Sequence, residues 1–348
     1  MGDILNADIY EVLSDNNINW DSFKGCTVLV TGATGLIGSV LVNILSVANE
    51  MYCLNLRLIG HGRNKNKSNI LAKKLNMEFI NGDIRIPCTL IDVIDKVDYI
   101  FHCASITKSA DMLEFPIDVI LTAADGTRNI LDLAQAKGCK SFVFLSSMEV
   151  YGQTKPGEVR ENDLGYLDIS NPRSSYPESK RFCEMLCIAY FTQYGLPVKI
   201  ARLSRTFGAG SFYDESDLRV ANQFARKAFK NEDIELHTQG NSIANNCYTA
   251  DALRGLLTIL LKGKNGEAYN IANPSVSVTI REMAEIVAKE VCDGKINVVV
   301  NVPEDIEKQG YAPDVGYILN VDKLMSLGWA PRFELASMYR RMLTDWKN

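Results

Sequence analysis

Tyr176 and Lys180 stand four residues apart in Tyr176-Pro177-Glu178-Ser179-Lys180, at the head of a stretch, 177–194, whose pattern predicts a helix. Side chains four apart share one face of a helix, so the phenol and the ammonium would be neighbours. A positive neighbour favours the phenolate, and a phenolate can take the proton of a substrate hydroxyl. Alone, the pair equally describes a helix start with a solvated lysine. A second polar group, Ser146-Ser147-Met148-Glu149-Val150-Tyr151-Gly152, follows the strand-like run 141–146. A Ser147 hydroxyl at that strand end can hydrogen-bond the same substrate oxygen, and Glu149 can act as a second acid or base. A loop glutamate is otherwise a carboxylate in water.

Removing a hydroxyl proton becomes an oxidation when a hydride acceptor lies alongside, and one segment is built to hold such an acceptor. Thr27-Val28-Leu29-Val30-Thr31-Gly32-Ala33-Thr34-Gly35-Leu36-Ile37-Gly38 reads as a buried strand, a glycine turn and the start of a helix. Gly32 permits the tight turn, Gly35 lets a pyrophosphate approach the backbone, and Gly38 lets the helix pack closely on its strand. The helix start at Leu36 and Ile37 offers free N–H groups and a positive dipole end to phosphates. Thr34 lies inside the turn. Placed between a strand and a helix, the glycine triplet predicts dinucleotide binding.

The elements that must position these groups alternate. Strand-like runs at 27–31, 54–60, 77–81, 99–103, 141–146 and 198–203 are separated by helical stretches at 36–49, 67–75, 88–95, 116–137 and 177–194. Such alternation predicts a doubly wound parallel α/β sheet of the Rossmann type, with ligands at the carboxyl ends of its strands. Residues 1–24 read as an amphipathic lead-in helix and 25–205 as the dinucleotide-binding domain. Residues 206–348 read mainly as a smaller α/β substrate lobe, with some segments returning to the first domain. That lobe carries a glycine- and acid-rich loop at 208–217, helices at 218–230, 249–262, 279–291 and 334–346, and strands at 268–272 and 296–300.

Composition narrows the function classes. The 348 residues are 47% apolar, and 37 basic against 42 acidic side chains give a net charge of −5, with no nucleic-acid footprint. No apolar run is long enough to span a bilayer, and the first residues lack the basic region of a secretory signal. Nine scattered cysteines argue against a disulfide framework and for a reducing cytoplasm. Cys183 and Cys187 read as core thiols, and with three histidines there is little material for a metal centre or a histidine triad.

The order and spacing of the glycine turn, Gly82-Asp83-Ile84, His102-Cys103-Ala104-Ser105, Ser146 to Gly152 and Tyr-x-x-x-Lys resemble the extended short-chain dehydrogenases/reductases of the NDP-sugar epimerase/dehydratase branch. The segment Ser174 to Tyr190, Arg219-Val220, Tyr248-x-x-Asp251, Tyr269-Asn270-Ile271-Ala272 and Leu327-Gly328-Trp329-x-Pro331 resemble the UDP-glucuronate decarboxylases and dTDP-glucose 4,6-dehydratases in particular. The resemblance implies that Ser147, Tyr176 and Lys180 are the catalytic hydroxyl, the base and the lysine that lowers its pKa. Asp83 and Ile84 would hold the adenine, and Ala104 and Ser105 would line the ribose and phosphates of NAD. It also implies a nucleotide-sugar substrate oxidised transiently at C4, Arg219 near the pyrimidine, and a homodimer paired through helices such as 116–137 and 177–194.

Departures from that pattern bear on the reaction. The dehydratases carry an Asp where this chain has Met148, which cannot donate a proton to a leaving hydroxyl. The decarboxylases carry an Arg where this chain has Ala244, and Arg205 stands where Asn is common. Arg205 could replace the missing guanidinium and pair with an anionic substrate group, or it could be a surface or lobe-bridging side chain. Ala123 stands where the family has an Asn that supports the active-site helix. The second strand ends in Ile59-Gly60-His61-Gly62-Arg63-Asn64, without the acid that binds an NAD ribose, and Arg63 could accept the 2′-phosphate of NADP. The leading expectation is an NDP-sugar epimerase, which needs only Ser147, Tyr176 and Lys180. The alternatives are a decarboxylase or 4,6-dehydratase using Glu149, or an NAD(P)H-dependent 4-ketosugar reductase. A non-enzymatic dinucleotide-binding protein is disfavoured by the three catalytic-type side chains together.

Overall fold

A computed structural model describes residues 3–86, 88–211, 214, 215, 217, 219–302 and 314–347. Helix α1 (Asp3–Leu13) turns Ile9, Val12 and Leu13 inward, as its amphipathic pattern requires. The continuous apolar or β-branched run of β1 (Thr27–Thr31) is buried at every position. It leads through the glycine turn into α2 (Leu36–Met51). Strand β2 (Arg57–Gly62) starts later than 54–60, because Cys53 and Asn55 both take positive φ and prolong the turn before it. Next come α3 (Lys65–Leu75), β3 (Glu78–Asn81) and α4 (Cys88–Ile91). The last is shorter than the expected 88–95, and Asp95 reaches across to Arg57 instead.

The chain continues through β4 (Tyr99–His102), α5 (Ser109–Glu114), α6 (Pro116–Ala136), β5 (Ser141–Ser147), β6 (Gly157–Val159), α7 (Ser175–Tyr194) and β7 (Val198–Leu203). The remaining elements are β8 (Arg205–Phe207), α8 (Val220–Lys230), β9 (Ile234–Leu236), β10 (Ile243–Ala244), β11 (Asn246–Tyr248), α9 (Thr249–Lys262), β12 (Ala268–Ile271), β13 (Val278–Thr279), α10 (Ile280–Ile286), β14 (Val298–Val300), β15 (Tyr317–Leu319), α11 (Asp322–Met325) and α12 (Leu335–Lys347). The helix expected over 279–291 begins with a full capping box, Thr279 against Glu282, and changes to a π turn over Val287–Val291. Phe212, Tyr213 and Ser216 of the 208–217 loop, and Leu218 of the helix expected after it, lie outside the described residues.

Seven strands form one parallel sheet in the order β12-β7-β5-β4-β1-β2-β3. Strand order reverses between β1 and β4, which creates the crevice where such sheets bind ligands. Side-chain alternation divides the core. Val28, Val30 and Phe101 pack with α2 and α9, whereas Leu29, Ile100, Phe142 and Phe144 pack with α6 and α7. Strand β12 pairs with β7, so the C-terminal part of the chain completes the edge of the main sheet. Short pairs, β8 with β11, β9 with β14, β10 with β13 and β6 with β15, lie outside the main sheet. Helix α1 packs on α2, α9 and α12, so the lead-in segment ties the two halves together.

Candidate active site

The candidate catalytic strip lies where the end of β5 meets the start of α7. Asn171 caps the short turn Pro172–Ser174 by accepting the Arg173 N–H at 2.9 Å, and α7 then runs to Gly195, whose φ of +68° ends it. Tyr176 and Lys180 are buried on one face of α7, against β5. The Ser147 side chain is near enough to the Tyr176 phenol to pull its pKa down. The Ser147 Oγ also accepts the Glu149 N–H at 3.2 Å. Lys180 Nζ donates to the Leu145 carbonyl at 2.7 Å and lies 4.8 Å from the Phe144 ring centroid and 5.8 Å from that of Tyr176. The phenol pKa is not lowered in this arrangement. Burial pushes it above the usual tyrosine value, Glu149 adds to that, and Ser147 opposes it. Burial also pulls the Lys180 ammonium down, and its charge is directed to a backbone carbonyl.

Beneath the strip, the Glu184 carboxylate accepts Ser146 Oγ at 2.5 Å and Arg202 Nη2 at 2.6 Å. Arg202 also reaches the Tyr151 hydroxyl at 3.0 Å. Every member of this ion-pair network is bonded, so it locks β5, β7 and α7 in register.

The glycine turn is shaped for a backbone-bound anion. Gly32 has φ of +66°, and a Cβ there would lie 2.8 Å from the Ala104 nitrogen. A Cβ on Gly38 would lie 2.3 Å from the Gly32 carbonyl oxygen, so only glycine lets α2 sit this close. Gly35 is the N-cap of α2 and makes no side-chain cap bond, so the first N–H groups of α2, from Leu36 and Ile37 onward, have no side-chain acceptor at the cap. Thr34 lies beside Gly62 at the end of β2. These features fit a dinucleotide pyrophosphate. Ala104 donates its N–H to Thr31 Oγ1 at 3.2 Å, and Ser105 follows at the mouth of β4.

Asp83 is gripped by Arg85, with Nε–Oδ1 and Nε–Oδ2 distances of 3.1 and 3.0 Å, which draws its pKa down. Ile84 is buried and its carbonyl accepts Asn129 Nδ2 at 2.9 Å. Arg63 is exposed and contributes to the lowered pKa of Asp83 from nearby. Sequence reasoning passed over His61, which is buried with neither ring nitrogen hydrogen-bonded among the described residues. Burial lowers its pKa to about 4.

On the substrate side, Glu149 is held by Arg173, whose Nη2 lies 3.0 Å from Oε1 and 2.9 Å from Oε2. Arg173 was also missed, although it stands only three residues before Tyr176. Arg205 lies in the same neighbourhood. Its guanidinium is influenced by Glu149, Tyr317 and Tyr339, and its Nη1 is buried without a hydrogen-bond partner among the described residues. Arg219, by contrast, is exposed and bonded to Asp217, with its Nε 2.9 Å from Oδ1. Met148 and Ala244 are core side chains, and Ala123 is on the buried face of α6. Among the described residues no group of three His, Cys, Asp or Glu side chains could hold a metal ion, and no helix is long and apolar enough to cross a membrane.

The NAD dependent epimerase/dehydratase family matches residues 28–272. The chain belongs to that family. It is 30% identical to UDP-glucuronic acid decarboxylase 6 of Arabidopsis thaliana over 323 residues, covering 92% of this chain and 88% of the relative. The UDP-glucose 4-epimerase of Thermotoga maritima, solved with UDP-glucose, superposes with a TM-score of 0.78 at 22% identity, over 92% of this chain and 98% of that one. The dTDP-glucose 4,6-dehydratase DesIV of Streptomyces venezuelae, solved with NAD bound, gives 0.76 at 24% identity, over 92% and 97%. These two structures share the fold, and the matched segment spans the glycine turn, the Ser147 strand end and the Tyr176–Lys180 helix.

Proposed function

We propose that this enzyme binds NAD in the Gly32–Gly38 cradle and oxidises an NDP-sugar transiently at C4, with Ser147, Tyr176 and Lys180 as its catalytic set. The observation that carries this reading is that buried Tyr176 and Lys180 are held against the carboxyl end of β5, where Ser147 acts on the phenol, in a chain whose glycine turn fits a pyrophosphate. Bound NAD supplies a hydride acceptor and a positive ring that favours the phenolate. Ser147 orients the C4 hydroxyl, and Tyr176 takes its proton as the C4 hydrogen leaves as hydride. Lys180 supports the phenol from the next turn of α7. If hydride were returned to the opposite face of the C4 ketone while Tyr176 gave its proton back to the C4 oxygen, that carbon would be inverted. This epimerisation needs no group beyond the three, and it is the leading reading.

A second reading, decarboxylation of an NDP-uronate, is favoured by Arg205 beside Glu149 and by the similarity to a UDP-glucuronic acid decarboxylase. A C4 ketone makes a C6 carboxylate a β-keto acid, so CO₂ leaves as the C5–C6 electron pair passes to the C4 oxygen. C5 is then reprotonated and the hydride returns to C4. Dehydration lacks its acid at Met148. A reductase using Arg63 to hold NADP would consume reduced cofactor stoichiometrically.

The test is turnover without added cofactor, followed by mass spectrometry of the products. Epimerisation leaves the mass unchanged and decarboxylation removes CO₂. A requirement for stoichiometric NAD(P)H would reject the recycling reading. The exposed apolar side chains Ile117, Ile120, Leu121, Phe182 and Met185 on α6 and α7 support a homodimer built on those helices.

A further inference from the structure

Arg173 grips the Glu149 carboxylate, and a second guanidinium, Arg205, stands just past the strand ends that carry Ser147 and Leu203. Glu149 is already committed, with both of its oxygens within 3.0 Å of Arg173 Nη2. Arg205 makes no ion pair or side-chain hydrogen bond among the described residues, and its Nη1 is out of reach of solvent. Burying a guanidinium without an anion or an acceptor is unfavourable. The neighbouring groups do not relieve it. The Tyr317 hydroxyl donates to the Met148 carbonyl at 3.2 Å, and the Tyr339 hydroxyl is itself buried without a hydrogen-bond partner.

The backbone does not leave Arg205 free to swing away. It lies in β8, level with Asn246 of β11, and its own N–H is bonded to the Asn245 carbonyl at 2.9 Å. Asn245 in turn bonds the Tyr317 carbonyl and the Leu319 N–H at 2.9 and 2.8 Å. The side chain is therefore mounted on a two-strand ribbon that β15 braces. Ser147 at the end of β5 is level with Leu203 at the end of β7, and Arg205 follows two residues later. That sets the unfilled cation at the same strand ends as Ser147, on the side where a sugar must lie to present its hydroxyl to Tyr176. A planar guanidinium with a free edge matches a carboxylate in a two-point contact.

We infer that the sugar taken by this site bears a ring carboxylate, and that Arg205 is the residue that selects it. The inference rests on the proposed nucleotide-sugar reading and narrows its substrate class to uronic acids, whichever reaction follows. A phosphate oxygen of the nucleotide is the other anion that could meet Arg205, and the test separates the two.

The NAD-loaded enzyme is titrated calorimetrically with UDP, UDP-glucose and UDP-glucuronate, as wild type and as Arg205→Gln and Arg205→Lys. The wild type is expected to bind UDP-glucuronate more tightly than UDP-glucose. Arg205→Gln is expected to weaken UDP-glucuronate by roughly 30-fold or more, on the scale of losing one partner of a buried charge pair. It should weaken UDP and UDP-glucose far less, and that retained binding also reports that the variant is folded. Arg205→Lys should recover part of the loss. Equal weakening of all three ligands assigns Arg205 to the diphosphate and overturns the inference, as does a wild type without preference for the acidic sugar. Transient absorbance of reduced nicotinamide is recorded in parallel with both sugars. Its absence with both, or failure of the wild type to bind either, overturns the nucleotide-sugar reading itself. A signal with UDP-glucose alone overturns only the uronate inference.

Discussion

At the scale of single residues, the site is a set of charges whose pairing matters more than their number. Tyr176 is buried, and its phenol is held above the usual pKa by that burial and by Glu149. The phenol therefore stays protonated, and in the proposed mechanism the positive ring of bound NAD would be needed to favour the phenolate. Tyr176→Phe removes the proton acceptor while leaving the ring packed against Met112 and Val119. It is expected to cut kcat by about 10²–10⁴-fold with little change in sugar-nucleotide binding. Single-turnover kinetics alongside calorimetry checks both halves of that statement, and a comparable loss in binding would mean that the phenol positions substrate rather than reacting. The Tyr, Ser and Lys types were legible from spacing, because a four-residue step on a helix and a strand-end hydroxyl are local facts. Arg173 was not, because its partner Glu149 is 24 residues away and only the turn at Pro172–Ser174 brings the two together.

At the scale of elements, the turn from β1 to α2 shows why glycine is required in two of its places. The missing Cβ at Gly38 would lie 2.3 Å from a backbone oxygen that cannot move without opening the strand–helix joint. Gly38→Ala is expected to destabilise the fold by about 1–3 kcal/mol, the usual scale of overpacking, and to weaken NAD retention. Denaturant unfolding and the ratio of bound NAD to protein after desalting measure these two effects, and full retention of NAD would sever the turn from cofactor binding. The strand and helix periods were readable across the main sheet. The pattern gave no α5, no α11 and none of the short strands β6, β8, β9, β10, β11, β13 and β15, and it misplaced α4, the start of β2 and the π turn after α10. The last three are places where a long-range ion pair, two positive-φ residues or a change in hydrogen-bond spacing overrides the apolar pattern.

At the scale of the whole molecule, α1 fastens the lead-in segment to the C-terminal half through charge. Asp8 accepts the Tyr248 hydroxyl at 2.5 Å and is paired with Arg341, while Asp15 is paired with Arg254. Burial raises the Asp8 pKa from the ordinary 3.8 to about 6, with Tyr248 and Arg341 only partly opposing it. The folded chain then keeps a proton that the unfolded chain releases, so this contribution to stability is full below 3.8 and is lost as pH rises to about 6. Urea unfolding should show wild type losing stability relative to Asp8→Asn across that interval, and a pH-independent difference would contradict the raised pKa. The outer faces of α6 and α7 leave Ile117 and Met185 exposed at 70% and 67%. If they form the dimer face, Ile117→Lys with Met185→Lys should halve the sedimenting mass without altering the circular dichroism. A wild type that already sediments as a monomer would remove the proposal.

What the residues determined unaided was the alternation of the main-sheet strands and helices, the glycine turn, and the spacing that makes Ser147, Tyr176 and Lys180 candidates for catalysis. Each of these follows from periodicity or from neighbours within one turn of chain. Tertiary packing alone decided which charges meet. Arg202 took Glu184 and Arg173 took Glu149, while Arg205 was left with a buried nitrogen unbonded among the described residues. Packing also returned β12 to the main sheet and sank Met148 and Ala244 into the core. A side chain's partner is set by where distant strands come to rest, and that depends on burying the whole core at once rather than on any local run of residues.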